Sequence, residues 1–314
     1  MVYAVRRLAI LVGCLLGASV LTFALLHVLP GSPAEVMLGT QATPDAVASL
    51  NSKLGLDDSL LSQYLDWIHG LITGRLGDSY LSGLSISGLL AQALQVTIPL
   101  IILGTAVGLV IAVPLGVVGA LRHNHAVGTG VGAVSQLGVA IPTFVSGILL
   151  IVVFSAKLHA LPPGGFPGWQ VDPWHALQSL LLPAISLGLV QGAIISRFLR
   201  AALLDVVKSD YYRTARAKGL PPFQALLRHG LRNASIPVST VFGMELGSLI
   251  VGAIVIENVY TLPGVGTMLL QAVTNRDLVV VQDIVMFVAV LVLAINMLLD
   301  FSYRLLDPRL GGTR

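Results

Sequence analysis

Charge is what this sequence has least of. Only 11% of its 314 residues are Asp, Glu, Lys or Arg, and the mean hydropathy is +0.87. Soluble domains carry about a quarter charged residues, so this composition excludes one and defines a membrane protein. A single cysteine, Cys14, rules out an internal disulfide and reads as an inert small residue in a helix. No Gly-Lys dipeptide occurs, so there is no P-loop lysine and no phosphate cradle for ATP. The H-E-x-x-H and G-x-S-x-G patterns of membrane-embedded hydrolases are also missing. Seven histidines are scattered without ligand spacing, and His123 and His125 in one short loop make no metal site. GTGVG at 128–132 mimics a nucleotide fingerprint, but no strand precedes it and a span follows.

What remains is apolar sequence in long runs. Leu8–Leu29, Val96–Leu121, Val131–Ala156, Ala176–Ile195, Ile236–Ile256 and Val279–Leu299 each approach the roughly 20 residues that a helix needs to cross the hydrocarbon core. None alternates like an outer-membrane strand, so the expected fold is an all-α bundle of six transmembrane helices. Arg6 and Arg7 before the first run resemble a signal peptide, yet that run is too long for an h-region and is read as a retained span. Prolines 99, 114, 142 and 183 predict kinks. Gly104, Gly108, Gly116 and Gly119 predict close helix contact, either inside the chain or with a partner.

Positive charge orients the bundle. Fourteen of the eighteen Lys and Arg residues fall on one side of the six runs, eight of them between 197 and 235. The positive-inside rule then predicts that both termini and the 197–235 loop are cytoplasmic. Within that loop, Ser209 or Asp210 can cap a helix over Tyr211 to Lys218 (Tyr211, Tyr212, Arg213, Thr214, Ala215, Arg216, Ala217, Lys218), and Gly219 stands where a left-handed residue ends it. Pro221 suits the start of an amphipathic helix with Phe223, Leu226, Leu227 and Leu231 on one face, lying along the membrane before the fifth span. A solvated loop would explain the charge alone; the helix, turn, helix pattern predicts a docking element.

These residues also carry a resemblance. TARAKG at 214–219 and HGLRNASIP at 229–237 resemble the EAA-type cytoplasmic loop of ABC importer permeases, in particular the dipeptide/oligopeptide/nickel family. Its loop glycine matches Gly219 and its closing Ile-Pro matches Ile236 and Pro237, while Thr214, Ala215 and Arg216 stand where the general motif has Glu-Ala-Ala. LLHVLPGSPAEVMLG, LGLDDSLLSQYLDWIHGLITGRLGDSY and PGVGTMLLQAVTNRDLVVVQ with LLDPRL resemble the same family, in the subunit with the long first external loop. The resemblance implies a type I importer permease in a bacterial or archaeal cytoplasmic membrane. It implies a second homologous permease, two cytoplasmic ABC ATPases that bind ATP and Mg, and an extracytoplasmic solute-binding protein. This chain would itself hold no cofactor, catalyse nothing and bind no nucleic acid. Tyr211 to Gly219 would couple ATPase closure to alternating access for di- or oligopeptides. Residues 1–95 would form a first helix plus external cap, and 96–314 a five-helix core.

Polar residues inside the spans are the other site candidates. Glu245, Gln191 and Asn296 are expected to face the pathway or the interior. Asp300 is spaced to pair with Arg304, and His27 and Gln136 read as interior hydrogen-bonding residues. Outside the membrane, Thr43-Pro44-Asp45 and Asp57 start helices, and Glu257 to Asp277 is a candidate docking and gating segment. An ATP-independent secondary transporter is the alternative reading; it would show two related halves with broken helices at midplane, and no such repeat is visible.

Overall fold

The computed structural model describes residues 2–28, 33–53 and 55–306. Among these the chain is helical, apart from turns and one isolated bridge between Asp78 and Ser85. In order the helices are α1 (Val2–Val28), α2 (Pro33–Leu38), α3 (Pro44–Lys53), α4 (Leu60–Thr73), α5 (Ile86–Leu121), α6 (Ala126–Ala140), α7 (Thr143–Leu150) and α8 (Pro173–Lys208). Then follow α9 (Asp210–Ala217), α10 (Pro222–Ala225), α11 (Leu231–Val259), α12 (Val265–Thr274) and α13 (Leu278–Leu306). Five helices, α1, α5, α8, α11 and α13, contain stretches long and apolar enough to cross a membrane, and α6 with α7 and the π-helical stretch that continues it (Ile151–Lys157) makes a sixth span if the bent pair counts as one.

Three expectations are corrected. The third apolar run is not one helix: α6 and α7 meet at 100°, with Ile141 and Pro142 both extended between them. Proline removes the amide that would continue the helix and pushes the preceding residue out of the helical region, so the chain turns at Ile141-Pro142. Pro99, Pro114 and Pro183, by contrast, lie inside uninterrupted helices. The second and fourth spans are longer than their apolar cores: α5 and α8 have 36 residues each, about 54 Å at 1.5 Å per residue, against a core of about 30 Å. Arg197 and Arg200 therefore belong to α8 and not to a loop. Finally, the amphipathic segment after Gly219 is no separate helix, because α10 runs through a π-helical stretch at Leu226–Gly230 straight into α11.

Contacts divide the chain into two compact units, the residues up to Gln95 with Pro263–Leu293, and Val96–Leu262 with the chain from Ala294. In the first, Ile86, Leu90 and Ala93 pack on Val265, Ala272, Val280, Val281 and Ile284. Phe23, Tyr64 and Trp67 form an aromatic cluster with centroids 5.4 to 6.2 Å apart, joining α1 to α4. Thr43 and Ser59 cap α3 and α4, so the second of these helices starts three residues later than Asp57 implied.

In the second unit, α5 and α8 are held together by small residues. A Cβ on Gly188 would come within 2.9 Å of the Gly104 carbonyl, and one on Gly192 within 2.9 Å of the Gly108 carbonyl. Gly104, Gly108, Gly116 and Gly119 in turn accommodate Leu187, Gln191, Leu199 and Arg200. The open question about these four glycines is thus resolved: they serve close packing within the chain. Buried Val96, Leu100, Leu180, Leu187, Ile256 and Tyr260 fill one core of this unit. Tyr260 donates to the Gly147 carbonyl at 3.0 Å and lies 3.0 Å from the Ser186 hydroxyl, and Gly164 fits beneath its carbonyl, where a Cβ would collide at 2.1 Å.

Candidate functional site

The end of α8 shows why a short helix forms where it does. Ser209 leaves the helical region (ψ 153°) and its hydroxyl donates back to the Val206 carbonyl at 2.6 Å. It closes α8 and holds the N-cap position of α9 as expected, though without a side-chain bond to that helix; the favourable charge at the start of α9 is Asp210, its first residue. Eight residues later the helix ends in a Schellman arrangement. The Leu220 amide donates to the Ala215 carbonyl at 3.3 Å and the Gly219 amide to Arg216 at 3.0 Å, with Gly219 at φ +89°. Arg216 adds a bond from its guanidinium to the Leu220 carbonyl at 2.6 Å.

This helix has two distinct faces. Tyr212 and Ala215, three residues apart, are buried against Val117, Ala120, Leu199, Leu203, Val206, Ala225, Leu226 and Ala234. The Tyr212 hydroxyl also donates to the Pro222 carbonyl at 3.3 Å. Removing a large aromatic side chain from water stabilises by about 2 kcal/mol, enough to hold so short a helix on its base. Tyr211, Arg213, Thr214, Arg216, Ala217, Lys218 and Gly219 are exposed. The Asp210–Arg213 pair, at 3.9 Å and exposed on both sides, adds little rigidity. On the following segment the predicted apolar face is also revised: Ala225 and Leu226 are buried, whereas Phe223 and Leu227 remain exposed.

Beneath the short helix, Arg200 ties three helices together. Its Nε donates to the Gly119 carbonyl at 3.2 Å, and a Cβ on Gly132 would stand 2.5 Å from its guanidinium. Reading 197–235 as a loop concealed this side chain; its position four turns after buried Ser186 on one helix was the available signal.

The intramembrane candidates lie apart in character. Gln191 is buried against Gly108, and neither of its amide atoms has a hydrogen-bond partner among the described residues. Glu245 is half-buried in α11, with the Arg197 guanidinium as its opposite charge. Asn296 is exposed on α13, as is Gln136 on α6. Among the described residues no hydrogen bond joins Glu245, Gln191 and Asn296. The side chains of His27, Asp300 and Arg304 lie outside the described residues.

Three buried carboxylates complete the polar structure, and of these Asp283 was not singled out from the sequence. Thr97 donates to Glu257 at 2.6 Å, fixing α5 to the end of α11. Ser79 donates to Asp277 at 2.6 Å. Each end of the 257–277 segment is thereby pinned by a buried carboxylate, and each end carries a left-handed non-glycine residue, Thr261 (φ 49°) and Arg276 (φ 57°). Trp67 donates to Asp283 at 2.8 Å. An acidic residue in the run VVVQDIVMFV was visible in the sequence, but its place near the start of the span hid its depth. Outside the spans, burial and then the Asp277 and Asp283 carboxylates push the Tyr80 phenol above its ordinary value.

The described residues thus form a multispan helical bundle with one short helix rooted by Tyr212 and Ala215 and exposed on its other face. Comparison with known proteins gives the family. Residues 112–312 match the model described as binding-protein-dependent transport system inner membrane component, and residues 1–85 match the model for the N-terminal part of such membrane components. A Brucella abortus (strain 2308) permease named for a peptide transport system is 38% identical over 304 residues, 97% of each chain. The di/tripeptide transport system permease protein DppB of Pseudomonas aeruginosa (strain UCBPP-PA14) is 36% identical over 334 residues, 98% of each chain. Among solved structures, an inward-facing chain of the MetNI methionine ABC transporter superposes with a TM-score of 0.55 at 18% identity, over 70% of this chain and 96% of that one. The chain belongs to the binding-protein-dependent transport system inner membrane components, and it is a multi-pass permease subunit of an ABC importer.

Proposed function

We propose that this permease imports di- or oligopeptides, with α9 as the helix that receives a cytoplasmic ATPase. The two-faced geometry of α9 carries the reading. Tyr212 and Ala215 root it in the core beneath α8 and α10, while Tyr211, Arg213, Thr214, Arg216, Ala217 and Lys218 face outward. A push on the outer face passes through Tyr212 into α8 and through the Gly219 turn into the unbroken helix that becomes α11. Two ATPases closing on ATP and Mg would move α8 and α11 as levers and alternate the access of a pathway shared with a second, homologous permease. Both termini and α9 are then cytoplasmic, in line with the positive-inside distribution. Residues 1–95 form the part that meets a solute-binding protein, and 96–314 the permease core; Glu245, Gln191 and Asn296 are the pathway candidates. Peptide cargo is supported by the names of the two relatives, each aligned over nearly its whole length.

Affinity purification of the tagged chain, expressed with its genomic neighbours, tests this. Recovery of a second permease and ATPases, with hydrolysis raised by a peptide-loaded binding protein, is the expected result. A chain that purifies alone and moves solute into liposomes without ATP would establish the secondary-transporter alternative.

A further inference from the structure

The first compact unit contains a groove. It lies among α1, α4, the first turns of α5 and α13, within one compact unit, and encloses about 550 Å³. That volume falls in the roughly 300–1,000 Å³ range of small-ligand sites. Its wall is apolar, with Leu15, Leu71, Leu90, Met286 and Phe287 among the lining side chains, and among the described residues no Lys or Arg lines it. Three lining side chains are polar. Ser19 bonds the Leu16 carbonyl and the Tyr64 hydroxyl, and Ser87 donates to the Gly74 carbonyl. Asp283 is the exception: it is fully buried, its Oδ1 accepts from Trp67 at 2.8 Å, and its Oδ2 has no partner among the described residues.

A buried carboxylate oxygen without a donor is costly, and an apolar wall gives it no compensation. Three of the four helices around it, α1, α5 and α13, contain stretches long and apolar enough to cross a membrane, and Asp283 lies only five residues into α13, about 7.5 Å along its axis. The indole of Trp67 beside it is a side chain that favours the headgroup level. We propose that the groove holds one phospholipid with a primary ammonium headgroup, its acyl chain along the apolar wall and its ammonium donating to Oδ2 of Asp283. Charge complementarity selects this lipid over phosphatidylglycerol, which is anionic, and the need for an N–H donor selects it over phosphatidylcholine.

Native mass spectrometry of the assembled complex from nanodiscs containing equal parts phosphatidylethanolamine, phosphatidylglycerol and phosphatidylcholine reads this directly, without reference to transport. The wild type should retain one phosphatidylethanolamine, favoured at least tenfold over either competitor. Asp283→Asn should bring that preference to within twofold, and Ala91→Trp, which fills the groove, should abolish retention. Ala91→Leu provides a milder filling, and an unchanged thermal transition shows that the fold survives. A wild-type complex that retains no lipid, or one whose retention ignores both headgroup and groove filling, would overturn the proposal.

Discussion

Gly219 is the residue on which the proposed coupling geometry depends most sharply. Nothing lies within 4 Å of where its Cβ would be, so substitution meets no clash; the whole cost is the left-handed backbone, about 1–2 kcal/mol for an L-residue and more for a β-branched one. Gly219→Val should therefore leave the complex assembled but cut binding-protein-stimulated ATP hydrolysis by about tenfold, whereas undiminished stimulation would remove Gly219 from the mechanism. Tyr212→Ala tests the other end of the lever. Loss of a buried aromatic costs about 3 kcal/mol, and thermal unfolding in detergent should register it together with loss of coupling. At the start of α8, Asp172 accepts the His175 amide at 3.0 Å, and that backbone bond, followed by the contact with the His175 ring, holds its carboxyl below the ordinary carboxylate value. A lowered value means the stabilisation is complete above about pH 4 and is lost as pH falls through the folded value. Asp172→Ala should thus lower the thermal transition at pH 7, with a gap from the wild type that closes toward pH 3.

At the scale of elements, the α5–α8 pair is the most constrained contact. Gly192→Val would drive a Cβ against the Gly108 carbonyl and the Ile111 side chain, both 2.9 Å away, and overpacking of this kind costs about 1–3 kcal/mol. A lowered unfolding temperature, with no change in a Gly130→Val control whose Cβ meets nothing within 4 Å, is the expected outcome. Elements were also where the sequence was most unevenly legible. Hydropathy located all six apolar runs, because the cost of unsatisfied backbone in lipid leaves a strong mark on composition. The turn at Gly219 was legible because few residues accept positive φ. Helix ends were not: an apolar run records where lipid is, not how far a helix continues into water, so α5 and α8 came out short. The break at Pro142 was readable only as a kink, since a proline that bends a helix and one that separates two look alike in sequence.

For the whole molecule, the family and its transport class were legible from four motif blocks, and the coverage of both family models agrees. The partners of buried polar groups were not legible, because Trp67 with Asp283 and Thr97 with Glu257 join residues 216 and 160 positions apart. The central claim for the molecule is that the outer face of α9 meets an ATPase. Maleimide labelling of Ala217→Cys in a Cys14→Ser background tests it most directly, because Ala217 is exposed in this chain while Ala215 on the same helix is buried. Rapid labelling of the chain alone and at least tenfold protection once the ATPases are bound are expected. Equal labelling in both states would contradict the claim.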